Sequence, residues 1–153
     1  MLQLKQISRL LTQALTPIPS HNSHTLSSTT LATSPLSLSL LSPSGIPLTT
    51  VLNTILLTEI GLSPDNLKIY SLVGFNHIQN DSWGLLEVEK GLKLVIRRLD
   101  IENGDHKDDT TASEGNHLYV ILFYNEQFPD AIAKLKLDNV SEILNAGLKG
   151  YRG

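Results

Sequence analysis

The chain has 153 residues, of which 41% are apolar and 18% charged, and its formal net charge is −3. This length suits one domain with its own core rather than two, and the apolar fraction argues against disorder throughout. Cysteine is absent, which excludes disulfides, zinc held by cysteine and thiol nucleophiles.

The charge is unevenly distributed along the chain. Six acids and one lysine lie in residues 100–116, a local charge of −5, so the rest of the chain carries +2. Neither value provides the basic face that nucleic-acid binding requires. No run approaches the ~18–20 apolar residues of a membrane span, and the lipidation and signal-peptide patterns are missing. We therefore expect no nucleic-acid partner and no direct membrane insertion.

The first predicted element is an amphipathic helix over Leu2–Leu15. Its apolar residues recur at helical spacing with polar residues opposite, as in a helix lying on a sheet, and Pro17 ends it. Ser and Thr dominate residues 16–34, which cannot bury enough apolar area to offset their backbone entropy, so we expect a flexible connector. His21 and His24 lie there without the further ligands that a metal site needs.

The next region predicts a β-hairpin. Leu36–Leu41 alternates with period two, residues 42–45 supply turn chemistry, and Ile46–Val51 returns as a second strand. Pro47 cannot donate a ladder hydrogen bond, which favours a place at the sheet edge. Residues 52–62 leave two interpretations open, a short helix or an extension of the strand.

The middle helix is predicted over Asp65–Gln79. Ser63 and Pro64 supply an N-cap hydroxyl and a proline at the first helical position. Apolar residues spread around most of the helix and leave a narrow polar strip that includes Lys68 and Ser71. Covering one face of a sheet takes only roughly a third of a helix surface, so we expect a second partner on the far side, with Gly74 allowing close approach of another backbone.

Two further strands and an acidic loop are predicted next. Trp83–Glu89 and Leu92–Leu99 form a second hairpin around a Lys-Gly turn. Residues 100–116 form a flexible acidic loop. Its acids lack the oxygen spacing and closing glutamate of an EF-hand calcium site, so we expect no metal there.

The densest run of β-branched and aromatic residues is His117–Tyr124, HLYVILFY, which contains no charge. Such a run is typical of a strand covered on both faces, and we expect it at the centre of an antiparallel sheet. Phe128–Leu148 then predicts a final helix that starts near Pro129. The expected topology is α-β-β-α-β-β-β-α around one five-stranded sheet.

Several positions in these elements follow the pattern of a known family. They are Met1-Leu2-x-x-Lys5, Leu11-Thr-Gln-Ala14, Leu40-Leu41 with Gly45 and Leu48, the passage from Asn116 to Glu126, and Leu135-Lys136. On these residues the chain resembles the roadblock/LC7 family. Within it, the chain is most similar to the smaller roadblock subunits of Ragulator-type scaffolds, whose fungal counterpart is the EGO complex.

This resemblance implies a single α+β domain with strand order 2-1-5-4-3. It also implies dimerisation through the middle helix and the third strand, which joins two sheets into one. The interface residues expected on this basis are Ile69, Leu72, Val73, Phe75, Asn76, Trp83, Leu85 and Glu87. Phe75 and Trp83 are the candidate anchors, with burial in the chain's own core as the alternative for either.

The function that follows from the resemblance is a non-enzymatic scaffold. The expected partners are a second roadblock-domain protein, a lipidated tether subunit and Rag/Gtr-type small GTPases, in nutrient signalling to TORC1. The expected location is the cytoplasmic face of a lysosomal, vacuolar or late endosomal membrane, held through partners. The alternatives are a dynein-light-chain-type role and a GTPase-regulator role.

A small enzyme is the least favoured interpretation. The sequence contains no G-x-x-x-x-G-K-[ST], G-x-S-x-G or H-E-x-x-H motif. His77 and His117 are the histidines in predicted ordered elements, and both are better explained as structural. We therefore expect no catalytic residues and no cofactor.

Overall fold

The structure, a computed structural model, describes residues 4–16, 31–79, 81–99 and 117–148. The predicted acidic loop over 100–116 and most of the predicted connector lie outside the described residues. Residues 31–34, assigned to that connector from sequence, form a turn instead, in which Ser34 is fully buried and Leu31 packs against the core. The packed chain therefore resumes earlier than expected.

The described residues form four helices and five strands, close to the predicted bounds. In chain order they are α1 (Leu4–Ala14), β1 (Ser37–Leu41), β2 (Pro47–Leu52), α2 (Thr54–Ile60), α3 (Pro64–Ile78), β3 (Trp83–Glu89), β4 (Leu92–Arg98), β5 (Tyr119–Asn125) and α4 (Asp130–Gly147).

The open question over residues 52–62 is resolved as the short helix α2. The Asn53 side chain accepts a hydrogen bond from the Leu56 amide, which caps the N-terminus. Gly61 closes the helix in the left-handed conformation, with φ of 69°, which glycine adopts without steric cost.

The five strands form one antiparallel sheet in the order β2-β1-β5-β4-β3, which confirms the expected fold class and strand order. Strand β5 lies at the centre, and Tyr119–Tyr124 are buried, because helices cover both faces of the sheet. Strands β2 and β3 are the two edges, and Pro47 begins β2 at an edge as its missing amide hydrogen requires.

The core has two layers, one on each face of the sheet. Helices α1 and α4 pack on one face, mainly over Leu38, Leu40, Val120 and Leu122. Helices α2 and α3 pack on the other, where their buried leucines and isoleucine meet Leu94, Ile96, Ile121 and Phe123. Neighbouring residues along a strand point to opposite faces, so this alternation decides what each side chain of the edge strand β3 contacts.

Candidate partner interface

Helix α3 begins as its sequence predicts. The Ser63 hydroxyl accepts a hydrogen bond from the Asn66 amide at 3.3 Å, and Pro64 occupies the first helical turn. Asp65 places a carboxylate beside the positive end of the helix dipole. These contacts fix where the helix starts and therefore which residues share each of its sides.

The side of α3 that faces the sheet is built from small residues as well as large ones. Leu67, Ser71, Gly74 and Ile78 are buried there at helical spacing. The Ser71 hydroxyl donates to the Leu67 carbonyl oxygen at 2.7 Å, which satisfies it without solvent. The predicted polar strip is therefore wrong at Ser71, which lies against the sheet.

Gly74 lets the helix approach its own sheet rather than another backbone. A Cβ at this position would lie 3.0 Å from one terminal carbon of Leu94 and 3.3 Å from the Cδ1 atom of Ile121. Those distances are tighter than ordinary van der Waals contact. The expectation that Gly74 serves a partner is thus corrected, since the space it leaves is filled from β4 and β5.

The side of α3 that points away from the sheet carries an apolar stripe in solvent. Ile69, Leu72 and Val73 are 58%, 43% and 44% exposed, and the exposed Asn76 extends the same side by one turn. These four positions are three or four residues apart and so are neighbours on the helix surface. We call Ile69, Leu72 and Val73 the outer stripe.

Phe75 packs within its own chain. It is half-buried, and its ring meets Tyr119 edge-on with the centroids 5.1 Å apart. Its other neighbour is Gly45 in the hairpin turn, where a Cβ would come within 2.7 Å of the Phe75 Cγ atom. Phe75 therefore packs in its own chain, which is the alternative to a role as interface anchor. A substitution of Phe75 would perturb the monomer.

The edge strand β3 places the predicted interface residues Trp83, Leu85 and Glu87 on the face opposite α3. Leu85 is paired with Val95 of β4, and Val95 lies in the core layer beneath α4. Paired residues on neighbouring strands point to the same face of the sheet. Trp83 and Glu87 are each two residues from Leu85, so they point to that face as well. Trp83 is 44% exposed, and the Lys134 ammonium of α4 lies 4.5 Å from its ring centroid. The two groups of predicted residues thus lie on opposite faces and meet at the outer edge of β3.

Two contacts that sequence reasoning missed hold α3 against this edge. Gly84 lies so close to the helix that a Cβ there would be 2.5 Å from the Ile78 Cγ2 atom. The Tyr70 hydroxyl donates a hydrogen bond to the Glu89 carboxylate. That hydrogen bond raises the pKa of Tyr70 above its ordinary value of 10.0, with burial and the Glu89 charge adding to the shift. Residues 19 apart in the chain carry no local sequence signal for this pairing.

A second exposed surface lies on α4, on the other side of the molecule. Leu135 and Ile143 are 58% and 51% exposed. On the same helix, Lys136 donates to the Thr16 carbonyl at 3.2 Å, and burial lowers the pKa of this lysine. Lys136 therefore ties α4 to the end of α1.

The described residues offer little for catalysis. Among them, no cluster of three or more His, Asp or Glu side chains is arranged to hold a metal ion. His77 is exposed beside Gly84, and His117 stands half-buried before β5. A cavity of about 200 Å³ lies between α3 and the first hairpin, and Leu52, Leu67 and Ser71 are among the residues that line it.

The five-stranded antiparallel sheet in this order, between two helical layers, matches the roadblock/LC7 fold of solved structures. The chain is similar to MglB in a tetrameric arrangement at 12% identity and a TM-score of 0.60, over 95% of this chain and 91% of that one. It is similar to a roadblock/LC7 domain from Streptomyces avermitilis at 12% identity and a TM-score of 0.53, over 92% and 96%. Myxococcus xanthus MglB matches at 8% identity and a TM-score of 0.54, over 96% and 98%.

The family is given by sequence. The family model described as Protein SLM4 matches residues 1–153, and the chain belongs to this family. A search of curated protein sequences finds no significant match. The solved structures share the fold with this chain at low identity, so they establish its architecture alone.

Proposed function

We propose that this protein is a non-enzymatic scaffold subunit of a Ragulator/EGO-like complex. It pairs with a second roadblock-domain protein through α3 and β3 and presents α1 and α4 to a lipidated tether. The resulting dimer offers a platform to Rag/Gtr-type GTPases that signal nutrient state to TORC1. The proposal combines the family resemblance of the sequence with the apolar surfaces that are exposed in the described part of the chain.

The observation that carries the proposal is the outer stripe beside the β3 edge, which pairs with no further strand among the described residues. Ile69, Leu72 and Val73 are each more than 40% exposed although they are large and apolar, and contiguous apolar surface of this kind typically marks an interaction site. Strand β3 ends the sheet next to them. An uncovered edge strand offers backbone donors and acceptors to another strand.

A partner that covered both the outer stripe and the β3 edge would be held by two kinds of interaction. Strand pairing supplies main-chain hydrogen bonds, and the outer stripe supplies apolar burial. Stable protein interfaces remove about 1,600 Å² from water, and a few large side chains carry most of the energy. Trp83 begins β3, and the Lys134 ammonium lies 4.5 Å from its ring centroid.

The tether is proposed to bind the opposite helical layer. Leu135 and Ile143 are exposed on α4, and α1 packs beside this helix. In the described part of the chain, no helix is long and apolar enough to cross a bilayer. A peripheral position at a lysosomal, vacuolar or late endosomal membrane is accordingly proposed to come from the tether.

The dimer surface is tested by a double substitution on the outer stripe. Ile69→Asp with Val73→Asp is expected to abolish co-purification with the roadblock partner, because two carboxylates would be buried without partners. Size-exclusion chromatography of the co-expressed pair measures this. Ile55→Asp is the matched control, because Ile55 is 62% exposed on α2. An intact complex with the double variant would refute the proposed surface.

The complex itself is tested by a native pull-down with mass spectrometry. Recovery of a second roadblock protein, a tether subunit and GTPases is expected from wild type. Leu135→Asp should retain the roadblock partner and lose the tether. Recovery of dynein intermediate chains, or of a GTPase without tether subunits, would instead favour the alternative roadblock roles.

A further inference from the structure

The cavity between α3 and the first hairpin has a volume of about 200 Å³. Four apolar and four polar residues line it: Ser39, Pro47, Thr50, Leu52, Pro64, Leu67, Lys68 and Ser71. Protein interiors contain few voids larger than a water molecule. A space of this size therefore needs a structural cause, and it raises the question of what occupies it.

Small side chains on both walls leave this space. Ser39 points to the sheet face that α3 covers, because it is paired with Ile121, which belongs to the core layer beneath that helix. Thr50 is paired with Ser39 and points to the same face. On the helix side, the buried Ser71 faces the cavity. Three residues with hydroxyl groups thus stand where leucines and isoleucines pack the rest of this layer.

The floor of the cavity is formed by the buried lining residues Ser39, Leu67 and Ser71, which are 3%, 4% and 1% exposed. The Ser71 hydroxyl donates to the Leu67 carbonyl oxygen, and the Ser39 Oγ atom is 2.8 Å from the Thr50 Oγ1 atom. Both serine hydroxyls are therefore engaged within the protein. The floor presents mainly carbon to a ligand, which favours a hydrocarbon group there.

The mouth of the cavity is polar and carries a positive charge. Thr50, Pro64 and Lys68 are the lining residues that are exposed to solvent. The Lys68 ammonium lies 4.0 Å from the Asp65 carboxylate, and the two side chains are 67% and 90% exposed. Such a solvated pair contributes little. A lysine can lay its stem along a cavity wall while its ammonium group stays in solvent, so this group is available to an anion at the mouth.

One hydroxyl hydrogen of the Ser39–Thr50 pair has no acceptor among the described residues. Each hydroxyl carries one hydrogen and can also accept. A single hydrogen lies between the two oxygens, and neither hydroxyl forms another hydrogen bond in the described part of the chain. When Ser39 donates to Thr50, the Thr50 hydroxyl at the mouth can donate to a ligand. Thr50 and Lys68 thus offer a neutral and a charged donor at the same opening.

We propose that this cavity binds a small carboxylic acid with an apolar body. The hydrocarbon lies against Leu52 and Leu67, and the carboxylate lies at the mouth, where it accepts from Thr50 and meets the Lys68 ammonium. An engineered cavity of about 150 Å³ holds benzene, so this cavity suits an acid of about six to eight heavy atoms. Water alone is the competing occupant. The inference is independent of the proposed partner, because no lining residue belongs to the outer stripe.

The test is a titration of the isotope-labelled full chain with hexanoate, followed through the NMR shifts of the backbone amides. We expect saturable shifts at Thr50, Leu67 and Ser71 with a Kd of about 1 mM, and none at Lys90 in the turn between β3 and β4. Hexanol has a matching chain without the charge and should bind about three- to fivefold more weakly. An absence of saturable shifts up to about 20 mM hexanoate would overturn the proposal and leave water as the occupant.

Variants at the mouth test the recognition of the carboxylate. Lys68→Met keeps an unbranched side chain and should remove the preference for hexanoate over hexanol. Lys90→Met makes the same change in charge at an exposed turn and should leave the preference unchanged. Asp65→Asn removes the carboxylate that competes for Lys68 and should strengthen hexanoate binding by about twofold. A preference that survives in Lys68→Met would refute the assigned role of this lysine and with it the proposal.

A variant on the floor tests the cavity itself. Ser39→Val fills space with a residue that suits a buried strand and should weaken hexanoate and hexanol alike, by about tenfold or more. Amide shifts outside the cavity that match those of wild type show that the variant is folded. Unchanged binding by the folded variant would overturn the proposed location.

A free acid and the C-terminal residue of a peptide share this chemistry. Acetylglycyl-norleucine carries the hexanoate skeleton at the end of a peptide and is titrated in the same way. Tighter binding of hexanoate would assign the site to a free acid, and tighter binding of the peptide would assign it to a chain terminus. Binding of neither compound would overturn the proposal.

Discussion

Helices α3 and α4 cover opposite faces of one sheet, and they meet it differently. Each buries one serine by donating its hydroxyl to the carbonyl four residues earlier, Ser71 to Leu67 and Ser141 to Leu137, both at 2.7 Å. Helix α4 presents large apolar residues to the sheet beside that serine. Helix α3 presents Gly74 beside its serine, and the larger Leu67 and Ile78 lie further along the same side.

The outer sides of the two helices also differ. On α3 the exposed Ile69, Leu72 and Val73 form the contiguous outer stripe. On α4 the exposed Leu135 and Ile143 are eight residues apart, with exposed Asn139 between them. The two helices thus differ in the residues that they bury against the sheet, and four predictions test this difference.

The largest expected effect comes from truncating one leucine on each helix. Leu137→Ala should lower the free energy of unfolding by about 2–5 kcal/mol, because Leu137 is fully buried and its loss leaves a cavity. Leu72→Ala should change the monomer by less than about 0.5 kcal/mol. Urea denaturation of the isolated chain measures both. Similar losses for the two variants would contradict the comparison.

Enlarging Gly74 tests the close approach of α3. Gly74→Val should cost about 1–3 kcal/mol, because the new side chain must displace Leu94 or lift the helix. Asn76→Val introduces the same residue at an exposed position of the same helix and should cost less. Thermal unfolding monitored by circular dichroism compares them, and equal costs would show that helix propensity alone is being measured.

The third test concerns the tyrosines that link each helix layer to the sheet. The Tyr124 hydroxyl donates to Asp130 at 2.7 Å, and burial followed by this hydrogen bond raises the pKa of Tyr124 well above 10.0. Tyr124→Phe should cost about 1 kcal/mol at neutral pH. Tyr70→Phe should cost less, since its partner Glu89 is exposed.

The pH dependence gives the third test its sign. A tyrosine whose folded-state pKa exceeds its unfolded value stabilises the fold below the unfolded pKa, and this contribution is lost as pH rises through the folded pKa. Unfolding free energies measured from pH 9 upward should therefore fall above about pH 10, and less steeply in Tyr124→Phe. An unchanged slope would contradict the role assigned to Tyr124.

The smallest effect is expected at the ion pairs of α4. Asp138 contacts both Arg97 and Lys134, and all three side chains are roughly a quarter exposed. Asp138→Ala should cost about 0.5–1 kcal/mol, and it should also free Lys134 to shift relative to Trp83, which tryptophan fluorescence reports. Glu142→Ala, at an exposed position of the same helix, is the control and should change neither quantity.

Much of this architecture was predictable from local chemistry. The uncharged run at His117–Tyr124 indicated the central strand, Ser63 and Pro64 indicated the start of α3, and Pro47 indicated an edge. Residues 52–62 stayed ambiguous, because a short apolar run fits either a helix or a strand. The structure shows a helix, which the Asn53 side chain caps at its start and the left-handed Gly61 ends.

The candidate interface was predicted in part. The surplus of apolar surface on the middle helix is a property of its composition, so the sequence indicated that one side would be left uncovered. The sequence placed Trp83 and Phe75 together as anchors, whereas the structure turns Phe75 into its own chain and puts Trp83 on the opposite face of the sheet from α3. The register of β3 and the rotation of α3 about its axis decide where these two side chains point, and both depend on contacts between residues far apart in the sequence.

The sequence by itself determined that a helix lies between two hairpins and that this helix has more apolar surface than one sheet can cover. Both features depend on side-chain periodicity and capping, which involve only a few neighbouring residues. Only the tertiary structure decided which side of that helix is outermost. Ser71 can be buried because the Leu67 carbonyl accepts its hydrogen, and Gly74 lets Leu94 and Ile121 fill the gap. That packing turns Ile69, Leu72 and Val73 toward solvent.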